Sequence, residues 1–72
     1  MNNIMTISEL FEIGKSYYPE GHFRVEIWDV GIRFVNSVTK NDEEVEATSF
    51  LQADLRSLTP SAVRGFLDAE LR

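Results

Sequence analysis

The sequence predicts an α+β fold: an N-terminal helix, a three-stranded antiparallel meander, and one or two C-terminal helices packed on one sheet face. Three observations carry this. A capping box opens an apolar pattern of helical period near the N-terminus. A strict apolar–polar alternation follows it. A Thr-Pro pair then precedes a second stretch of helical period.

The first helix starts at Thr6, with Glu9 three residues on to complete the capping box. Ile7, Leu10, Phe11, Gly14 and Tyr17/Tyr18 recur at helical spacing and are expected on one face, one tyrosine in the core and the other at the surface. Pro19 and Gly21 stop the helix. Phe23–Trp28 alternates and reads as a half-buried strand, and Asp29-Val30-Gly31 supplies a turn. Ile32–Thr39, rich in β-branched and aromatic residues, is the second strand. Lys40–Glu43 is a polar turn, and Glu44–Ser49 a third strand at the sheet edge, where acidic side chains discourage aggregation.

Beyond that the period changes. Ser49 with Gln52 is a second capping-box pattern, and Phe50, Leu51, Leu55 and Leu58 predict a short helix or helical turn after it. Thr59 is an N-cap with Pro60 at the first helical position. Val63, Phe66, Leu67 and Leu71 then form the stripe of a terminal helix, with Arg64, Asp68 and Arg72 at i,i+4 on its polar side. Helices on one face leave the other sheet face open.

Length and composition bound the function. A chain of 72 residues makes one small domain with a thin core, here 43% apolar and 26% charged. No cysteine means no disulfide, and with a single His22 no zinc site of the usual kind. The lack of cysteine fits a reducing cytoplasm. Met1–Met5 has no basic region and no long apolar run, so no signal peptide is expected, and no segment reaches the length of a membrane span.

Groups for catalysis are sparse. Gly14, Gly21, Gly31 and Gly65 are too scattered for a phosphate-binding loop. Nothing in the spacing pairs His22 with Ser16 or Ser37 for nucleophilic chemistry. The run Asp42-Glu43-Glu44-Val45-Glu46 lacks the spaced ligands and glycine of a calcium loop, and a chain this small has little room for a cleft that would raise one carboxyl pKa. No enzyme activity, cofactor or metal is expected.

The net charge of −5 repels nucleic-acid phosphates and anionic membranes and favours basic protein partners. On the strands, Phe23, Val25, Ile27, Ile32 and Phe34 are expected inward. Arg24, Glu26, Trp28, Arg33, Val35 and Ser37 then face out. An exposed tryptophan beside arginine is a common interface anchor, so Trp28 and Val35 are the expected anchors, with Arg24 and Arg33 fixing orientation.

The order helix–strand–strand–strand–helix resembles that of double-stranded-RNA-binding domains. That family places a basic cluster at the start of its last helix, whereas residues 59–64 here carry only Arg64, so RNA binding is not expected. In size, acidity and plan the whole chain is similar to the small phage-borne inhibitors of bacterial defence systems, the anti-CRISPR proteins, with no shared motif. That resemblance implies an inhibitor that blocks a nucleic-acid-binding surface by phosphate mimicry or steric occlusion. Asp42, Glu43, Glu44 and Glu46 would be the mimics and Glu26 and Asp29 their extension. The competing expectation is a non-catalytic assembly protein that forms a homodimer through the open sheet face.

Overall fold

A computed structural model describes residues 5–71. Helix α1 spans Ile7–Ser16, strands β1, β2 and β3 span His22–Trp28, Gly31–Lys40 and Glu43–Leu51, and helix α2 spans Pro60–Glu70. The strands form one antiparallel sheet in the order β1-β2-β3. Both helices cover one face of it, which is the α+β plan the sequence predicts. No helix of the described residues is long and apolar enough to cross a membrane.

The capping box forms as expected: the Glu9 N–H donates to Thr6 Oγ1 at 3.0 Å and the Thr6 N–H to Glu9 Oε1 at 2.9 Å. Met5 and Leu10, at the N′ and N4 positions of a hydrophobic staple, are both buried in the core. The expected face is corrected at its start. Ile7 is exposed, while Met5 and Ile13 join Leu10 and Gly14 inside. Both tyrosines are half-buried against the core, rather than one in and one out.

Phe23, Val25 and Ile27 pair with Asn36, Phe34 and Ile32, which puts these six on the helix-covered face. Aromatic rings link the layers. Phe11 and Tyr18 lie 5.4 and 5.5 Å from Phe23, and Phe34 lies 6.3 Å from Phe23 and 6.2 Å from Phe66 of α2. Asn36 is the polar group at the edge of this core. Its Nδ2 donates to the Glu20 carbonyl at 2.9 Å and holds the α1–β1 loop against the sheet.

The first hairpin is tighter than the sequence implied, and the second is as the polar turn Lys40–Glu43 predicts. Trp28 pairs with Gly31, so the first turn is only Asp29-Val30 and Gly31 belongs to β2. The second is closed by Asn41 and Asp42, with φ of 52° and 65°, the left-handed pair of a two-residue type I′ turn.

Of the short helix or helical turn expected after Ser49, only a turn forms, and it starts later. Alternation continues through Ser49, Phe50 and Leu51, which stay in β3, and a single 3-10 turn at Leu55–Ser57 follows. Its cap is Asp54, whose side chain accepts from the Arg56 N–H, not Ser49. Ladder bonds to β2 outweigh a capping pattern that lacks a helical run behind it.

Thr59 and Pro60 open α2 as predicted, and Val63 and Leu67 are fully buried. Leu71 is exposed, because it caps the helix beyond its last packed turn. Asp68 does not pair with Arg64. It accepts a hydrogen bond from the Tyr17 hydroxyl at 2.8 Å, with the Arg64 carbonyl 3.2 Å from the same hydroxyl. The pair with Arg72 and the N-terminal stretch 1–4 lie outside the described residues.

The Tyr17–Asp68 bond ties α1 to α2 and sets a pH dependence. It raises the Tyr17 pKa above 10.0, since ionisation would place a phenolate against a carboxylate. The unfolded chain therefore loses this proton first. The stability from this group is intact below about pH 10. It declines as pH rises through the folded value. Tyr17→Phe is expected to flatten the alkaline limb of a plot of urea midpoint against pH. An unchanged limb would remove the role assigned to this bond.

Candidate protein-binding face

The strand register places Arg24, Glu26, Trp28, Arg33, Val35, Ser37, Glu46, Thr48 and Phe50 on the face opposite the helices. Trp28 faces outward as the alternation predicted and is 52% exposed. Its indole N–H donates to Glu26 Oε1 at 3.2 Å.

Four charged residues on this face neutralise one another. Arg24 Nε donates to Glu26 Oε2 at 3.0 Å, and its guanidinium crosses the central strand to lie 3.7 Å from Glu46. Arg33 stands 3.6 Å from Glu26. The hydrogen bond from Arg24 holds the Glu26 carboxyl below its ordinary value, and the Trp28 N–H and Arg33 add to this. The same pairing raises the Arg24 pKa.

This network corrects the reading of Val35. It lies on the outer face, as the alternation requires, yet it is 0% exposed. Arg24 and Thr48 flank it in the cross-strand row, and the Arg24 side chain passes over β2 on its way to Glu46. Val35 is a covered support for the charged network, not an anchor open to a partner.

Phe50 takes the place in the patch that Val35 was expected to hold. It is 44% exposed and sits opposite Arg33, with its ring over Gly31. A Cβ on Gly31 would lie 2.8 Å from Phe50 Cζ and 2.4 Å from the Leu51 carbonyl oxygen, so only glycine admits this close approach. Phe50 and Trp28 thus flank a bare stretch of backbone. The signal in the sequence was the period-2 series Glu44, Glu46, Thr48, Phe50.

Ile27 and Val30, 47% and 62% exposed, extend the apolar surface around the Asp29-Val30 turn. A cleft of about 240 Å³ opens there between the turn and residues 53–56. Of its two carboxylates, Asp54 is held ionised by Arg56, 3.0 Å away, which lowers its pKa.

The acidic residues are at the other end. β2 and β3 pair out to Lys40 and Glu43, whereas β1 stops pairing at Ser37, so Val38–Val45 projects as an arm. The molecule measures 49 × 22 × 20 Å. Asp42, Glu43 and Glu44 are exposed at the arm's tip, and none forms an ion pair among the described residues. At a strand rise of about 3.3 Å, the tip stands about 30 Å from the Trp28 end. Asp29 therefore lies with the apolar surface, remote from the acidic run, and Glu46 lies between them in the ion network. His22 is exposed at the start of β1.

Comparison with protein-family models, curated proteins and solved structures finds no match to this chain.

Proposed function

We propose that this protein binds and occludes a basic, nucleic-acid-binding surface of another protein, as the anti-CRISPR inhibitors it resembles in size, charge and plan would do. The observation that supports this reading most is the division of the carboxylates. Glu26 and Glu46 are neutralised within the chain, whereas Asp42, Glu43 and Glu44 stand free on a projecting arm.

Free carboxylates on an arm attract lysine and arginine at long range and lose that attraction in salt. The phosphate-mimicking role therefore rests on Asp42, Glu43 and Glu44. Trp28 and Phe50 supply apolar contacts that survive salt, and the Arg24–Glu26–Arg33–Glu46 network keeps the face between them electrically balanced.

Glu43→Lys combined with Glu44→Lys tests this. The tagged chain is used to capture proteins from a cell extract, with duplex DNA or high salt added as competitor. A captured nucleic-acid-handling protein displaced by both competitors is expected, with affinity reduced about tenfold or more by the double reversal. The melting temperature should stay near its original value, since both side chains are exposed. Capture undiminished by the reversal would rule out the acidic arm as the binding element.

A further inference from the structure

The free edge of β3 carries a charge pattern that selects its own partner. Among the described residues the nine-residue strand Glu43–Leu51 has backbone hydrogen bonds to β2 only. It has no proline, and its register with β2 runs unbroken from Glu43 to Leu51, so there is no bulge to turn the edge away. Val45 and Phe50 expose apolar side chains along it, 47% and 44% respectively.

All of its charge lies at one end. Glu43, Glu44 and Glu46 fall in the first four residues, and Ala47–Leu51 carries none. In-register parallel pairing with another β3 would set each glutamate against itself, which is unfavourable. Antiparallel pairing centred on Ala47 does the reverse. Glu43, Glu44, Val45 and Glu46 then oppose Leu51, Phe50, Ser49 and Thr48 of the second copy.

Opposed residues share a sheet face. Glu44 of the second copy thus enters the outer-face row that holds Glu26, Arg33 and Phe50, and Glu46 of the second copy enters the row that holds Arg24, Val35 and Thr48. Two of the three incoming carboxylates thus enter a row that contains one arginine, and Glu43 of the second copy enters the row of Leu51, Ile32 and Ile27 on the other face, which contains none.

We propose that two copies of this chain join along β3, antiparallel with Ala47 on the twofold axis, to make a continuous six-stranded sheet. The surface is the strand edge, not the open face expected from the sequence, and the proposal stands independently of the inhibitor reading. Each chain has a net charge of −5, so the copies repel at long range and association strengthens as salt is added. That is opposite in sign to the salt response of binding to a basic partner.

The absence of cysteine makes the register readable. Residues directly opposite in antiparallel strands have Cα atoms about 4.5–5.5 Å apart, within the range a disulfide spans. Under mild oxidation Ala47→Cys is expected to convert mostly to a covalent dimer. Glu43→Cys should stay monomeric, since its copies would be about 26 Å apart. A mixture of Glu43→Cys with Leu51→Cys should give the mixed dimer. Sedimentation of the unmodified chain should show more dimer at high salt than at low salt. An Ala47→Cys protein that stays monomeric, or a Glu43→Cys protein that dimerises as readily, would overturn the proposal. So would a dimer that Trp28→Ala dissolves.

Discussion

Phe34→Ala is expected to leave little folded protein at room temperature. Phe34 is fully buried at the middle of the central strand, between the Phe23 and Phe66 rings. Its ring links Phe23 of β1 to Phe66 of α2. Truncating a buried phenylalanine costs about 3–5 kcal/mol. A core of this size supplies only about 3–5 kcal/mol in all. The loss therefore equals the whole margin. Far-UV circular dichroism during a urea titration reads this directly. Trp28 fluorescence would serve poorly, since the indole is already half in water in the folded state. Phe34→Leu should recover a cooperative transition. A Phe34→Ala protein that unfolds near the original midpoint would mean that the aromatic chain is not the central support of the fold.

Gly21→Ala should be the next most damaging change, for a backbone reason. Gly21 has a φ of +96°, a region that costs a residue with a side chain about 1–3 kcal/mol. A Cβ there would also lie 2.4 Å from the Ser37 carbonyl oxygen and 2.7 Å from Val38 Cγ1. Relief requires the loop to lift from the sheet, and the bond from Asn36 Nδ2 to the Glu20 carbonyl would break. The two costs together should lower the melting temperature by more than about 10 °C, at 4–8 °C per kcal/mol for a domain of this length. A melting temperature within a degree or two of the original would show that the loop can relax without leaving Asn36.

The sequence made elements legible wherever local chemistry and tertiary need agreed. Thr6 with Glu9 and Thr59 with Pro60 mark both helix starts, and β1 was readable because its inner face is apolar and its outer face charged at nearly every step. The region after Thr48 was misread because two local patterns competed there. Ser49–Gln52 imitates a helix start, while the alternation that wins depends on ladder bonds to β2, which are distant in sequence. That misreading hid Phe50, the second exposed aromatic of the candidate face.

Val35 shows a different limit. Alternation fixes which face a side chain is on, but its cover comes from Arg24 reaching across a neighbouring strand, and no one-dimensional pattern encodes that reach. The acidic run was visible as composition. That three of its carboxylates would stand unpaired among the described residues, on an arm, while Glu46 was drawn into an ion network depended on where β1 begins.

The arm has a dynamic consequence. Ile32, Phe34 and Val35 are fully buried and paired on both sides, so their amides should exchange with solvent only when the whole domain opens. Beyond Val38, which lies against the Gly21 loop, Thr39–Glu44 is held by its own ladder and a two-residue turn, so it frays at far lower cost. Protection from hydrogen exchange should therefore fall in a gradient along β2, from Phe34 towards Lys40. A partner that grips the tip would slow exchange there first, so its footprint would register as order gained in the least protected part of the chain while the core rates stayed the same.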